Sequence, residues 1–451
     1  MLIRMKRNQF ISILMMLALT ACMAPENKIT PETALQSYLG HRDRIFSWEL
    51  KEQFDSEGLM VSVLKLTSQK WRKINWTHQL TIISPHEMNT DGALLFINGG
   101  SNKDGEPAWR GRDDGILKMM STIASRNKAI VAILSQVPNQ PLYDNLYEDA
   151  LISYTLHSFK NDRDFTWPLL FPMTKSAVRA MDAVQQFTRR ELKQKIKRFV
   201  VSGASKRGWT TWLTGSQDKR VIAIAPMVID VLNMPVNIPY QKEVWGDYSI
   251  QIEDYVKLGL AQQIGSEEGN DLVTMIDPYS YRSRLTMPKM IIMGTNDEYW
   301  PVDAVKNYIN EIPGENYIHY EPNVGHSMGD GKGVMQALSA FFNIAINNKT
   351  HPVCNWQINP DNVRATLTIK ASPELEKATL WICDSPDQDF RDNRFTDSRV
   401  EANDPSEIKV EIRYPETGFR AFYLELTYPD PANGPYSECT RMFVADSLKL
   451  R

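Results

Sequence analysis

The stretch "KRFVVSGASKRGWTTWLTG", residues 197–215, decides the fold prediction for this chain. Its apolar residues Phe199–Val201 predict a short buried strand, because they are β-branched or aromatic and carry no charge. The residues after Gly208 predict a helix that packs back on this strand. Ser205 stands between the two elements, and Gly203 and Gly208 supply the small residues that a close approach of two backbones requires. Such a turn exposes the serine at its apex, as in a nucleophile elbow.

The spacing around Ser205 is Gly-x-Ser-x-x-Gly, whereas the commoner elbow has Gly-x-Ser-x-Gly. An ordinary strand-to-helix turn with a capping serine could have the same residues. This stretch alone therefore leaves two interpretations open, a structural turn and a nucleophile. The rest of the chain has to distinguish between them.

Length and charge narrow the classes of function. A chain of 451 residues favours two domains, and a hydrophobic content of 42% is enough to form sizeable cores. The 51 basic and 54 acidic residues leave a formal net charge of −3. Because there is no basic field that would attract phosphates, we expect no nucleic-acid partner.

The N-terminus has the pattern of an export signal. Basic residues are followed by the apolar run Phe10–Leu19, which is too short to span a bilayer and matches a signal-peptide core. The sequence Leu19–Cys22 resembles a bacterial lipobox, so we predict that a lipoprotein signal peptide of residues 1–21 is removed and that Cys22 is acylated. An ordinary secretory signal with an incidental cysteine is the alternative.

The residue after the predicted lipidation site is Met23, not an aspartate. By resemblance to known sorting rules, this favours the outer membrane over the inner one. We therefore expect an exported bacterial lipoprotein, anchored to the outer membrane through Cys22 and facing the periplasm or the cell surface.

Three further cysteines, Cys354, Cys383 and Cys439, lie in the last quarter of the chain. An exported compartment permits disulfides, but an odd number allows at most one intramolecular pair, and the sequence does not choose it. The chain contains no Cys-x-x-Cys or His-x-x-x-His spacing, so we expect no metal and no cofactor.

Short apolar strands alternate with amphipathic helices in the middle of the chain, which predicts a mostly parallel sheet with helices on both faces. The predicted strands are at 93–97, 129–134, 199–202, 221–229, 289–294 and 316–322, and the helices at 113–125, 174–190, 302–311 and 333–346. Alternating residues at 44–90 predict antiparallel strands before this core.

Three regions do not show this alternation of strands and helices. Residues 139–172 and 233–286 are long insertions between predicted strands, and such insertions commonly cover a site at the carboxyl ends of the strands. From about residue 350 only short strands and turns follow, which predicts a β-sandwich-like domain at 350–451. The catalytic domain is then 22–349, with the two insertions as cap material.

A nucleophilic serine needs a base and an acid, which in α/β-hydrolases follow it in the order Ser, acid, His. Asp297 lies in "GTNDEYWPVDA" directly after the strand at 289–294, and His326 lies in "EPNVGHSMG" after the next one. Both loops are at the edge where side chains of a parallel sheet converge. We therefore predict the triad Ser205, His326 and Asp297.

Other histidines and acids compete for the roles of base and acid. The other six histidines precede the elbow, lie within a predicted strand or fall at the domain boundary: His41, His78, His86, His157, His319 and His351. Glu298 and Asp303, which are near Asp297 in the sequence, compete with it for the role of the acid. Asp230 follows the strand after the elbow, an acid position in some hydrolases, and is the alternative acid.

The oxyanion of such a reaction needs hydrogen-bond donors. The backbone N–H of Lys206 begins a helix whose dipole also favours negative charge. The second donor is expected from Asn98, Gly99 and Gly100, which follow an early strand and resemble the glycine-rich oxyanion loop of esterases.

Four stretches resemble the PhoPQ-activated pathogenicity-related protein family, a bacterial branch of the α/β-hydrolases. They are "WPLLFPMTKSAVRAMDAV" (167–184), "VVSGASKRGWTTWLTG" (200–215), "APMVIDVLNM" (225–234) and "GTNDEYWPVDA" (294–304). The resemblance runs from about residue 35 to the C-terminus. It implies an exported α/β-hydrolase core with a C-terminal β domain, and Ser205, Asp297 and His326 as its triad.

These observations predict a membrane-anchored serine hydrolase that cleaves an ester or amide (peptide) bond through an acyl-enzyme. The substrate class is a small-molecule ester or a peptide. The alternative is a non-catalytic surface binding protein, associated with virulence, on an α/β-hydrolase scaffold. The presence of all three residue types of the triad favours the enzyme.

Overall fold

The computed structural model describes residues 28–41, 43–401, 404–430 and 432–451. The predicted signal peptide and its lipidation site, Cys22, lie outside the described residues. Among the described residues, every helix is too short or too polar to cross a membrane.

The first half of the chain builds one edge and the centre of a large sheet. Its helices are α1 (Pro31–Gly40), α2 (Gly115–Asn127), α3 (Glu148–Asp162), α4 (Leu170–Glu191) and α5 (Lys206–Gln217). Its strands are β1 (Ser47–Ser56), β2 (Leu59–Trp71), β3 (Ile74–Pro85), β4 (Gly92–Ile97), β5 (Asn102–Lys103), β6 (Glu106–Pro107), β7 (Ile130–Leu134) and β8 (Arg198–Ala204).

The second half completes the sheet and adds the C-terminal strands. Its helices are α6 (Met234–Trp245), α7 (Glu253–Lys257), α8 (Leu260–Gln263), α9 (Asn270–Ile276) and α10 (Lys332–Ile346). Its strands are β9 (Val221–Met227), β10 (Lys289–Gly294), β11 (Asn316–Glu321), β12 (Cys354–Pro360), β13 (Arg364–Ala371), β14 (Lys377–Ser385), β15 (Thr396–Val400), β16 (Ile408–Arg413), β17 (Phe419–Tyr428), β18 (Tyr436–Cys439) and β19 (Phe443–Asp446).

The centre of the sheet is parallel, as predicted. Strands β7, β4, β8, β9, β10 and β11 are neighbours in that order and pair in parallel. Strands β1, β2 and β3 extend one edge in antiparallel pairing. The chain therefore has the predicted α/β-hydrolase architecture, in which the loops after β8, β10 and β11 open at one edge.

Helices cover both faces of this sheet because successive strand residues point to opposite sides. Along β4, Leu95 lies in one core with residues of α4 and α5, while Leu94 and Phe96 lie in a second core with residues of α2 and α10. Trp209 and Trp212 of α5 are both buried in the first core. Both side chains therefore contribute to the core on this face of the sheet.

One predicted helix is wrong. The segment 302–311 contains two short 3₁₀ turns, Ala304–Asn307 and Ile309–Glu311, instead of one helix. Tyr308 separates them with φ −146° and is 1% exposed. Its hydroxyl donates a hydrogen bond to Asp230. Anchoring of this side chain in the core interrupts the helical backbone.

Residues 350–451 form two antiparallel sheets that share a core with α10. Strands β12, β13 and β16 make one sheet, and β14, β15, β17, β18 and β19 belong to the other. Strand β18 also pairs with β11, opposing Cys439 to Ile318. Strands β14, β15, β17, β18 and β19 therefore continue the central sheet. The three thiols of Cys354, Cys383 and Cys439 are unpaired.

A carboxyl group is buried at this junction. Glu438 of β18 is 0% exposed, and neither carboxyl oxygen has a hydrogen-bond partner among the described residues. Burial raises the pKa of Glu438 to about 8, and the nearby Glu315 adds to the shift. The folded protein therefore retains a proton on Glu438 that the unfolded chain releases near pH 4.5.

Glu438→Gln is expected to change how stability depends on pH. In the wild type, the contribution of Glu438 to the free energy of unfolding is fully present below about pH 4.5. This contribution is lost as pH rises to about 8, by about 1.4 kcal/mol per pH unit. Glutamine removes this loss, so the variant should gain stability over the wild type between pH 6 and pH 9. Urea unfolding at pH 6 and at pH 9 measures this gain in stability, with the exposed Glu416→Gln as control. Equal pH slopes in Glu438→Gln and wild type would count against the burial argument.

Candidate active site

Ser205 lies at a strained turn between β8 and α5. Its backbone has φ 59° and ψ −124°, a conformation that a residue with a side chain rarely adopts. Its N–H donates to the carbonyl of Met227 in β9, 2.9 Å away. The sheet therefore holds the serine in a conformation that costs on the order of 1–3 kcal/mol.

The two glycines beside the serine explain the unusual spacing. A Cβ on Gly203 would lie 2.9 Å from the carbonyl oxygen of Ile97 in β4. A Cβ on Gly208 would lie 2.8 Å from the carbonyl oxygen of Met227 and 2.6 Å from Cγ2 of Ile229. Helix α5 therefore crosses the strands in contact with their backbones, and the second glycine is required one residue later than in the common motif.

The structure brings Ser205, His326 and Asp297 together. His326 Nε2 lies 2.9 Å from Ser205 Oγ, and His326 Nδ1 lies 2.9 Å from Asp297 Oδ2. Asp297 follows β10, and His326 lies in the loop after β11. With Nδ1–H donating to the carboxylate, Nε2 is left to accept the serine proton.

Asp297 is a buried carboxyl group, 4% exposed. Burial raises its pKa above the ordinary value, while the hydrogen bond from His326 acts in the opposite direction. The backbone N–H of Tyr299 also donates to Asp297 Oδ1 at 2.8 Å. These contacts fix the carboxyl group in the orientation that receives the imidazole.

Two neighbours hold the histidine loop, and neither was predicted from the sequence in this role. Glu298 Oε2 accepts a hydrogen bond from the backbone N–H of His326 at 2.7 Å. The ring of Tyr299 packs on the imidazole, with centroids 4.0 Å apart and planes at 30°. In the sequence, Glu298 is only a competing acid. Its position directly after Asp297 was the signal available in the sequence.

The alternative acids lie elsewhere. Asp230 is 2% exposed, accepts a hydrogen bond from the hydroxyl of Tyr308, and has a pKa raised by burial to about 7. Asp303 accepts hydrogen bonds from Tyr240 and Lys306. Among the residues that the structure describes, Asp297 is the carboxyl group that hydrogen-bonds to the side chain of His326.

The loop of Asn98, Gly99 and Gly100 lies beside the elbow. The N–H of Asn98 donates to the carbonyl of Leu134 at 2.8 Å, so this N–H is engaged in the sheet. The side-chain nitrogen of Asn98 is buried and has no partner within the described part of the chain. A Cβ on Gly99 would lie 2.7 Å from the guanidinium of Arg207.

The cations after the serine pair with acids of the first insertion. Arg207 donates to both carboxylate oxygens of Glu148 at 2.7 and 2.6 Å, and Lys206 Nζ lies 2.6 Å from Asp149. Burial acts to lower the pKa of Lys206, but the ion pair with Asp149 outweighs it, and the pKa is raised. The hydroxyl of Tyr255 also donates to Asp149 at 2.9 Å.

Glu148 and Asp149 were missed as site residues because their partners lie far along the chain. The sequence predicts 139–172 as an insertion that covers the site, without a role for its acids. They begin α3, where the helix dipole also favours negative charge.

A cavity of about 80 Å³ opens beside Ser205 and His326. Residues of both insertions contribute to its walls, among them Leu156 of 139–172 and Ile264 of 233–286. Over residues 28–451, leaving out positions 42, 402, 403 and 431, no group of three or more His, Cys, Asp or Glu side chains is arranged to hold a metal ion.

Comparisons with known proteins identify relatives over most of the chain. "Autocrine proliferation repressor protein A" of Dictyostelium discoideum is 30% identical over 449 residues, which cover 92% of this chain and 90% of that protein. Among solved structures, an acetyl xylan esterase of a Thermoanaerobacterium species has a TM-score of 0.48 at 15% identity, and one of a Paenibacillus species has 0.48 at 11%. Each of the two matches covers 70% of this chain and 93% of the esterase chain.

The sequence model of one family matches residues 35–391, which include the elbow, the loops of Asp297 and His326, and both insertions. This match extends over more than half of the chain. The chain belongs to the PhoPQ-activated pathogenicity-related protein family.

Proposed function

We propose that this protein is a serine hydrolase that cleaves an ester or amide bond, with Ser205 as nucleophile. The observation that carries the proposal is the hydrogen-bonded series Ser205 Oγ, His326 Nε2, His326 Nδ1 and Asp297 Oδ2, in which both contacts are 2.9 Å long. This series lies beside a cavity in which a small substrate could bind.

In the proposed reaction, Ser205 Oγ attacks the substrate carbonyl while its proton moves to His326 Nε2. Asp297 stabilises the imidazolium that forms. The negative charge on the former carbonyl oxygen is stabilised by the Lys206 N–H at the start of α5 and by a donor from Asn98, Gly99 or Gly100.

Collapse of the tetrahedral intermediate breaks the ester or amide bond, and His326 gives its proton to the leaving group. A water molecule then attacks the acyl-enzyme, with His326 again accepting a proton. Expulsion of Ser205 Oγ, which regains its hydrogen from His326, releases the carboxylic acid.

The proposal is tested by hydrolysis of p-nitrophenyl butyrate and by inactivation with diisopropyl fluorophosphate. We expect saturable hydrolysis of the ester. We also expect the inhibitor to abolish this hydrolysis by forming one covalent adduct per protein molecule. No turnover and no adduct in a folded protein would favour the second candidate, a non-catalytic binding protein. The Dictyostelium relative, whose name describes repression of proliferation, supports that candidate.

We also propose that the protein is an exported lipoprotein. The support is the basic, apolar and small-residue pattern that ends at Cys22. A peripheral location at the outer membrane would place the hydrolase in the cell envelope.

Cys22→Ser is expected to abolish lipid attachment. The wild type expressed in a Gram-negative host should sediment with outer membranes and carry a diacylglycerol mass on its N-terminal cysteine. The variant should lack this mass and remain in the soluble periplasmic fraction or retain its leader. Cys354→Ser, which changes a cysteine outside the signal, is the control. A Cys22→Ser protein with an unchanged lipid mass would refute the anchor.

A further inference from the structure

The cavity beside Ser205 is enclosed mainly by apolar side chains. Helix α5 supplies Trp209, whose indole N–H donates to the carbonyl of Ile276 at 2.7 Å. Ile276 also lines the cavity, as do four side chains of the second insertion or of the helices it contains: Ile238, Ile252, Leu260 and Leu272. The wall thus joins the first turns of α5 to the cap.

The charged side chains in this wall neutralise one another. Besides His326, the lining contains Asp149 and Lys206, whose charged atoms are 2.6 Å apart. The hydroxyl groups of Tyr255 and Tyr299 also donate hydrogen bonds to Asp149. Because Asp149 and Lys206 are paired with each other, neither is available to a ligand. A charged group that entered the cavity would therefore lose its hydration without gaining a partner.

The cavity starts at the nucleophile itself. Ser205 and Lys206 line one end, and Trp209, one helical turn further on, continues the same wall. A group bound covalently to Ser205 Oγ therefore has the apolar wall next to it. In the proposed reaction, that group is the acyl part of the substrate.

We propose that the cavity is an acyl pocket that selects a short, uncharged, apolar acyl group. This inference rests on the proposed hydrolase function. A cavity of about 150 Å³ holds a benzene molecule, so the 80 Å³ here corresponds to an acyl chain of about three or four carbons.

The test measures kcat/KM of the full chain on p-nitrophenyl acetate, butyrate, octanoate and hemisuccinate, which share one leaving group. Each buried methylene contributes about a fourfold preference. Butyrate has two more methylenes than acetate, so it should exceed acetate by about fifteenfold. Octanoate, which is too long, and hemisuccinate, which brings a carboxylate, should both be poorer than butyrate. Equal rates across this series would overturn the inference.

A variant pair separates pocket filling from general damage. Ala261→Leu adds bulk to a lining residue of α8 and should reverse the preference in favour of acetate. Ala345→Leu adds the same bulk on α10, against the core on the opposite face of the sheet, and should leave the preference unchanged. A preference that does not move in Ala261→Leu would show that the acyl group binds elsewhere.

Reaction with diisopropyl fluorophosphate distinguishes the two proposals. If Ser205 forms the adduct but chain length and charge have no effect, the acyl pocket is wrong and the hydrolase stands. If neither the esters nor the inhibitor react, the proposed function fails and the acyl pocket fails with it.

Discussion

Ser205→Ala should lower kcat for p-nitrophenyl butyrate by on the order of 10⁴- to 10⁶-fold. Loss of Oγ removes the atom that would form the acyl-enzyme, and no other group in the site replaces it. The expected fold is unchanged, because the side chain contributes one hydrogen bond, to His326 Nε2, and little apolar area. Stopped assays of ester hydrolysis measure the loss, and far-ultraviolet circular dichroism checks the fold.

Ser202→Ala is the matched control for this variant. Ser202 lies on β8, three residues before the nucleophile, and its hydroxyl donates to the carbonyl of Ala225 at 2.6 Å. Its loss should cost about 1 kcal/mol of stability and leave turnover within a few-fold of the wild type. If Ser205→Ala hydrolyses the ester as well as Ser202→Ala does, Ser205 is not the nucleophile.

Asp297→Asn should lower kcat by about 10³- to 10⁴-fold. An amide at this position can donate to His326 Nδ1, which favours the tautomer whose Nε2 carries the hydrogen and cannot accept the serine proton. His326→Ala should lose nearly as much as Ser205→Ala, because the three residues act as a unit. The measurement is kcat at saturating ester.

Asp230→Asn tests the alternative acid in the same assay. Asp230 is hydrogen-bonded to Tyr308, and Asp297 is hydrogen-bonded to His326. The account therefore assigns the large loss to Asp297→Asn. Full activity in Asp297→Asn together with a large loss in Asp230→Asn would exchange the two roles.

The sequence predicted those features that depend on local pattern. The elbow follows from residues within one turn of Ser205, and the parallel sheet follows from apolar strands such as β4 and β10 between amphipathic helices. The loops of Asp297 and His326 were found because parallel strands end at one edge of the sheet, so chain order alone brings these residues near the serine.

Features that depend on distant partners were missed. Glu148 and Asp149 have no local signal that pairs them with Arg207 and Lys206, which lie nearly sixty residues away. The pairing of β18 with β11 could not be predicted either, because the residues of one strand do not indicate which distant strand it pairs with. No local pattern in 302–311 indicates that the buried Tyr308 interrupts a helix.

The most direct test of the central claim is to locate the fluorophosphonate adduct by peptide mass spectrometry. Purified wild-type protein is labelled with diisopropyl fluorophosphate and digested, and the modified residue is assigned by fragmentation. The account predicts one adduct in the wild type, on Ser205. It predicts that this adduct does not form in His326→Ala after an incubation of the same length. An adduct on another residue, or no adduct in protein that is folded by circular dichroism, would contradict it.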